Sequence, residues 1–335
     1  MGQILVLASG VKPSHSEREV SREALERQLA RLVAEVESPE HGVFGPSSAS
    51  WRIDRESALF LGGGRAALLQ LAHPYVAHAV DQHSKTKTDP LGRFQRTFNN
   101  VYAMVFGDLN HALASARRVH TMHTRIVGTI DEDVGDLRAG TPYAANDPEG
   151  LFWVHATLID SGLLFHQAVL GPLPRRQLEA YYGESKRFAR LFGIPDEVMP
   201  GDFVAFEAYM ARMLESPRIS VGRPAREIAS FLFRPPTRSV APALALLKLM
   251  TAGSLPPRLR EAFGLRFSAR HARAYRAVLA LLRRTYPRLP LRTRTVPAYQ
   301  HALRRVAGKP GPDPVAHAVE TLLQRGLSHA LPRRA

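Results

Sequence analysis

The sequence predicts an all-α protein: one large helical domain with a helical C-terminal extension. Three observations carry that expectation. Apolar residues recur at three- and four-residue intervals from Leu25 onward, the period of a helix with one buried face. Helix starts are written as cap-plus-proline pairs, Asp89-Pro90 and Asp147-Pro148. There a side-chain oxygen can satisfy a free N–H, and proline costs nothing in the first turn. Finally, the chain holds neither a run of alternating strands nor a repeat of fixed period.

Taken in order, residues 1–18 are polar and lack periodicity. Ser21 to Glu37 reads as an amphipathic helix with Leu25, Leu29, Leu32 and Val33 on one stripe. A Gly/Pro/Ser-rich connection from Ser38 to Ser50 follows, and Trp51-Arg52-Ile53-Asp54 leads into a helix over Arg55 to Gln82. Pro74 predicts a kink in that helix, leaving the carbonyl of Gln70 without its usual partner. Gly62-Gly63-Gly64 has no strand before it and no Gly-Lys-Ser/Thr after it, which argues against a phosphate loop. The glycines suit close approach by another helix or a flat ligand. Next come Leu91 to Phe106, a helix capped by Asp108 that runs to about Val127, and an acidic loop over Asp131–Asn146. Asp147-Pro148-Glu149 then opens a strongly apolar helix, the acidic charge suiting the positive end of its dipole. Beyond the break at Gly171-Pro172-Leu173-Pro174, helices are expected over Arg175–Phe192, Asp202–Leu214, Ala225–Phe233 and Ala241–Met250. A short helix to Phe263, a longer one over Ala269–Thr285, and a Pro- and Arg-rich tail with a weak helix near Ala316–Leu327 complete the chain. The divisions expected are 1–50 (N-terminal helix and linker), 51–265 (main domain) and 266–335 (extension).

With 335 residues, 45% hydrophobic and 22% charged, the composition is that of a globular protein with length enough for a sizeable core. The net charge is +15, but the arginines are spread along the chain rather than gathered in a run. A solvated basic surface is favoured over a nucleic-acid tract. Cysteine is absent. That excludes disulfides, iron–sulfur clusters, thiolate-bound haem or zinc and cysteine nucleophiles. No segment reaches the roughly 20 apolar residues of a membrane span. Ile4–Ala8 is too short for a signal-peptide core, and Val6 stands where a myristoylation signal wants Ser or Thr. The default expectation is a cytoplasmic protein.

One ionisable group stands where an apolar one belongs. Taking His155 as position i, its face holds Leu151, Phe152, Leu158 and Ile159. His123 follows Ala112, Ala116 and Val119 on its helix, and His73 shares a stripe with Arg65, Leu68 and Leu69. A single such histidine is more often a hydrogen-bonded core residue than a ligand. Three of them, on separate helices of a cysteine-free chain, point to a buried cofactor, because helix-borne imidazoles can be aimed at one metal. A di-iron bundle needs a Glu-x-x-His step, and no Glu here precedes a His by three residues. Haem b needs one axial imidazole, an apolar slot and cationic donors. His155, Phe152, Leu158, the glycine stretch and Arg65 or Arg93 could supply them, with Gln70 and His73 beside Pro74. Pairing of Arg65 with a carboxylate at a helix junction is the competing reading. His78 and His83 are off the His73 face and read as solvated or capping; Tyr181, Tyr182 and Tyr209 read as packing.

The ordered blocks also resemble a family. They are Gly62-Gly63-Gly64-Arg65 with Gln70-Leu71-Ala72-His73-Pro74, then His83-Ser84, and Asp89-Pro90-Leu91-Gly92-Arg93 with Thr97. His123-Thr124-Arg125-Ile126-Val127-Gly128, Tyr143-Ala144-Ala145-Asn146-Asp147-Pro148 and Trp153-Val154-His155 continue the series. Over about residues 55–265 the chain resembles the MpaB-type oxygenase domain shared with rubber oxygenases (latex-clearing proteins). The resemblance implies a helical fold around a buried b-type haem held by a histidine, and dioxygen chemistry, known in relatives as cleavage of isoprenoid double bonds. By position the axial histidine falls on His155, with His123 as second choice. The distal arginine and threonine fall on Arg93 and Thr97, or on Arg117 and Thr121 at the same spacing. Arg93 or His123 would stabilise negative charge developing in the oxygen chemistry. The relatives' acidic base has no match.

Three readings follow, in this order. The first is a haem-dependent oxygenase acting with dioxygen on a small apolar, isoprenoid or lipid-like substrate, with an electron donor admitted as partner. The second is a non-catalytic helical protein that binds haem or lipid. The third, well behind, is a nucleic-acid-associated protein, whose affinity would fall steeply with salt.

Overall fold

A computed structural model of the chain describes residues 19–84, 90–235, 237–238, 240–309, 311–318 and 320–321, and for residues 90–96 the backbone alone. The readings of residues 1–18, of Asp89 and of the chain beyond 321 lie outside the described residues. The fold is all-α. Helix α1 (Arg22–Glu35) is started by Ser21, whose Oγ accepts from the N–H of Ala24 at 3.2 Å. Leu25, Leu29 and Leu32 are buried as expected, but Val33 is exposed.

After α2 (Ala49–Asp54), the single helix expected over Arg55–Gln82 is instead three pieces: a 3-10 segment (Ser57–Gly62), α3 (Gly63–Leu71) and α4 (Pro74–His83). Pro74 does not kink a continuous helix; it begins a new one. His73 is extended (φ −86°, ψ 118°), and its N–H returns to the carbonyl of Gln70 at 3.1 Å, so that oxygen is not orphaned. The Trp51 segment is itself helix α2, capped by Ser48, whose Oγ accepts from the N–H of Trp51 at 3.0 Å.

Helix α5 (Pro90–Phe106) leads to α6 (Leu109–His123), capped by Asp108 through the N–H of His111 at 2.8 Å. The acidic connection after it is not all loop. Two three-residue strands, β1 (Val127–Thr129) and β2 (Pro142–Ala144), pair antiparallel with Val127 opposite Ala144. They are too short to leave an alternating pattern, which is why the sequence did not announce them.

Helix α7 (Pro148–Leu170) runs through the centre, buried on most sides, with Asp147 capping it through the N–H of Gly150 at 2.7 Å. Gly171, at φ 98°, ends it in a conformation that favours glycine. Around it pack α3, the 3-10 segment, α8 (Arg175–Arg190) and, from later in the chain, α13. The remaining helices are α9 (Phe203–Glu215), α10 (Arg223–Leu232), α11 (Ala241–Ser254), α12 (Pro257–Ala262), α13 (Ala269–Thr285), α14 (Leu291–Arg294) and α15 (Pro297–Val306). Helix α15 lies in what reads in sequence as an irregular tail. The segment after residue 265 packs on the same core: the N–H of Val296 donates to the Arg55 carbonyl at 2.8 Å, and Tyr299 meets Trp51 edge-on at 5.8 Å. Among the described residues no helix is long and apolar enough to cross a membrane.

Candidate functional site

Helices α2, α5, α7 and α8, with the 3-10 segment and the start of α3, line an apolar cavity of about 140 Å³ that opens to solvent on one side. Helix α5 gives Phe98, Val101 and Val105; α7 gives Leu158 and Ile159; Leu59 and Phe60 close another side. That is the character of a small-molecule site: mostly apolar walls with few polar groups.

His155 is one of those polar groups. Its ring stacks on Phe188 of α8, centroids 5.4 Å apart and planes 15° off parallel. Phe152 does not line the cavity; it is buried behind His155, at 6.1 Å from it and 5.0 Å from Tyr209. Burial pulls the imidazole pKa down to about 4, while a hydrogen bond with the Ser185 backbone works the other way. The ring is therefore neutral at physiological pH, the form a metal requires.

The three glycines divide their work. A Cβ on Gly62 would lie 2.8 Å from the Ser161 carbonyl oxygen, so this glycine lets α7 approach. One on Gly64 would lie 2.1 Å from the Thr251 Oγ1 of α11. One on Gly63 would meet nothing within 4 Å, and both Gly62 and Gly63 line the cavity.

Other expected site residues are engaged elsewhere. Arg65 is buried, but its guanidinium pairs with Asp160, donates to Ser161 Oγ at 2.9 Å and to the Ser254 carbonyl at 3.1 Å. It joins α3, α7 and α11, which is the competing reading of this residue. Gln70 donates to Thr157 Oγ1 at 3.1 Å, another α3–α7 tie. His73 is buried beside Tyr75 (5.2 Å), and its Nδ1 has no partner among the described residues. Burial, helped by Arg218, lowers its pKa to about 3. His123, half-buried at the end of α6, is brought to about 4 by burial and by His120, against a hydrogen bond with Asn146. Neither His73 nor His123 lines the cavity with His155.

Thr97 is exposed on α5, next to the cavity residue Phe98. The side chain of Arg93 lies outside those described. Of the alternative pair, Arg117 is held by Glu26 of α1 at 2.8 and 2.7 Å on the surface, and Thr121 donates to the Arg117 carbonyl at 2.8 Å.

His78 is buried, not solvated: its nitrogens face the Pro74 carbonyl and Asp131 Oδ1, each at 2.9 Å. With Glu132 it forms a cluster whose ligand atoms lie within 4.8 Å of one another. Arg223 already occupies both acids, its guanidinium on Asp131 at 2.5 Å and its N–H on Glu132 at 2.8 Å. The cluster thus ties α4 to α10.

Sequence reasoning missed a carboxyl. Asp54 of α2 lines the cavity and accepts from the Tyr181 hydroxyl at 2.8 Å. Tyr181 is thus more than packing. The signal was present in α8, where Tyr181, Glu184, Ser185 and Phe188 make one helical stripe that carries a phenol and a carboxylate.

Residues 51–284 match the family described as ER-bound oxygenase mpaB/B'/rubber oxygenase, catalytic domain. Two relatives, uncharacterized proteins of Mycobacterium tuberculosis (strain ATCC 25618 / H37Rv) and Mycobacterium bovis (strain ATCC BAA-935 / AF2122/97), are each 28% identical over 225 residues. The similarity covers 64% of this chain and 84% of theirs. No solved structure matches.

Proposed function

Since the chain belongs to the family of mpaB and rubber oxygenase catalytic domains, we propose that it is an oxygenase acting with dioxygen on an apolar, isoprenoid or lipid-like substrate, with haem b as its cofactor. One observation carries the reading: a neutral, buried imidazole, His155, lines an apolar cavity beside two glycines.

The residues fit a haem in three respects. His155 is held uncharged and oriented by Phe188, as an axial ligand must be. Gly63 presents open space instead of a side chain at the cavity wall, which suits a flat group. The walls are apolar. No arginine lines the cavity among the described residues. Because Arg65 is engaged by Asp160, the cationic donor falls to Arg93, with Thr97 one turn further along α5. His123 stays as second choice for the axial role. Bound there, the group would supply the activation of dioxygen, which side chains alone do not provide. The Leu and Phe walls hold the alkene portion of the substrate and keep water out, which strengthens each polar contact made inside.

An apolar cavity without a lining arginine also suits a non-catalytic lipid- or haem-binding protein; carbon monoxide binding to the reduced, haem-loaded protein separates the two. The primary test is an absorption spectrum of the purified chain with added haem, beside His155→Ala and His123→Ala. A Soret band lost in the first variant and kept in the second is the expected result. Loss in the second alone moves the axial role to His123, and no band in the parent protein ends the haem reading.

A further inference from the structure

Resting on the reading that the His155 cavity is the substrate site, we propose that Asp54 and Tyr102 form a hydroxyl-recognition site within it, selecting an apolar molecule that carries one alcohol group. Asp54 and Tyr102 enter the cavity from α2 and α5. Asp54 Oδ1 accepts from Tyr181 at 2.8 Å, while Oδ2 has no hydrogen-bond partner among the described residues and is not sealed from the cavity. Its direction is fixed from both ends. Glu184, one turn along α8 from Tyr181, accepts from the N–H groups of Ala49 and Ser50 at 3.0 and 2.7 Å, so α8 grips α2 at its start and its finish.

Two serines that line the cavity are occupied. Ser161 Oγ takes Arg65 at 2.9 Å, and Ser185 Oγ donates to the Tyr182 carbonyl at 2.7 Å. Tyr102 is different. Its phenol has no hydrogen-bond partner among the described residues, and burial and the field of Asp54 keep it protonated, a standing donor. An alcohol needs one acceptor and one donor, and Asp54 and Tyr102 supply one of each. A hydrocarbon leaves both unsatisfied in an apolar site. A carboxylate sets like charge against Asp54, which burial has already pushed up to about 7.

The test uses the purified full chain at pH 8, with N-phenyl-1-naphthylamine as fluorescent occupant of the cavity and 1-dodecanol, dodecane or dodecanoic acid as competitors. The expected result is displacement by the alcohol at least about tenfold tighter than by either of the others. Asp54→Leu should bring alcohol and alkane to within about threefold, whereas Asp54→Asn should keep the alcohol and admit the acid, its charge repulsion being gone. Should both variants fail to fold, Tyr102→Phe removes the donor alone and should weaken the alcohol by about threefold or more. Equal affinity for alcohol and alkane in the native protein overturns the inference and leaves the cavity as substrate site. Failure of all three to displace the dye overturns both, whatever the haem spectrum shows.

Discussion

A carboxyl group facing an apolar cavity resists ionisation, and for Asp54 the effect is large. Burial drives its pKa from 3.8 to about 7, with the Tyr181 hydrogen bond opposing and Glu184 reinforcing. The folded protein thus keeps a proton that the unfolded chain has lost above about pH 4. The stability that this one group contributes is lost as pH rises through that window and stays low above it. Asp54→Asn keeps an acceptor for Tyr181 and removes the charge. Its melting temperature should exceed the parent's by a margin that grows from pH 5.5 to pH 8, the gain being at most about 4 kcal/mol for a shift of three units. An equal change at both pH values would mean that the carboxyl ionises normally. Legibility differs sharply between these two cavity residues. His155 was readable because it interrupts an apolar stripe with an imidazole. Asp54 was not, since it lies between Arg52 and Arg55 and looks like a solvated helix end. Its hydrogen-bond partner in the fold, Tyr181, is 127 residues away.

At the level of elements, local signals survived and long-range ones did not. Asp108, Asp147 and Asp202 cap α6, α7 and α9 with side-chain bonds spanning three residues, so the sequence marks those starts by itself. The division of residues 49–83 into α2, a 3-10 segment, α3 and α4 was hidden because the apolar pattern runs through the breaks. The glycine run was readable as a place of close approach, but sequence left open whether a helix or a ligand approaches; the structure separates the three positions. Gly62→Ala would press a methyl on the Ser161 carbonyl of α7, and Gly64→Ala on Thr251 of α11. Each should cost about 1–3 kcal/mol by overpacking. Gly63, helical at φ −59° and facing open space, should gain up to about 1 kcal/mol as Ala from helix propensity. Urea unfolding of the three variants measures this. Similar costs at all three positions would refute the division. Thr251→Ala, which removes the nearest clashing atom, should restore part of the stability lost in Gly64→Ala, a coupling expected only for residues in contact.

Across the whole molecule, the buried histidines set how the protein responds to acid. His123, His155 and His166 are lowered to about 4 and His73 to about 3, with burial the first cause in each. Three of these were visible in sequence on apolar stripes. His166 was not, although it lies on the His155 face of α7, eleven residues on. Its Nδ1, like that of His73, is buried with no partner among the described residues, so nothing there would stabilise a proton. The unfolded chain protonates these rings near pH 6.5 and the folded chain does not, so stability falls as pH drops from about 6.5 toward 4. Asp54 works in the opposite direction over nearly the same window, leaving a net difference of about three protons. Three protons correspond to a loss of about 4 kcal/mol per pH unit, and the total stability of a domain is only about 5–15 kcal/mol. Growing positive charge on a chain already at +15 acts in the same sense. Far-UV circular dichroism during acid titration should therefore show cooperative unfolding between about pH 4 and 5.5. Replacing His166 with Phe should lower the midpoint and cut the proton uptake by about one. A fold still intact at pH 3.5 would mean that the histidines protonate in place, and that the His155 environment is wetter than its stacking on Phe188 implies.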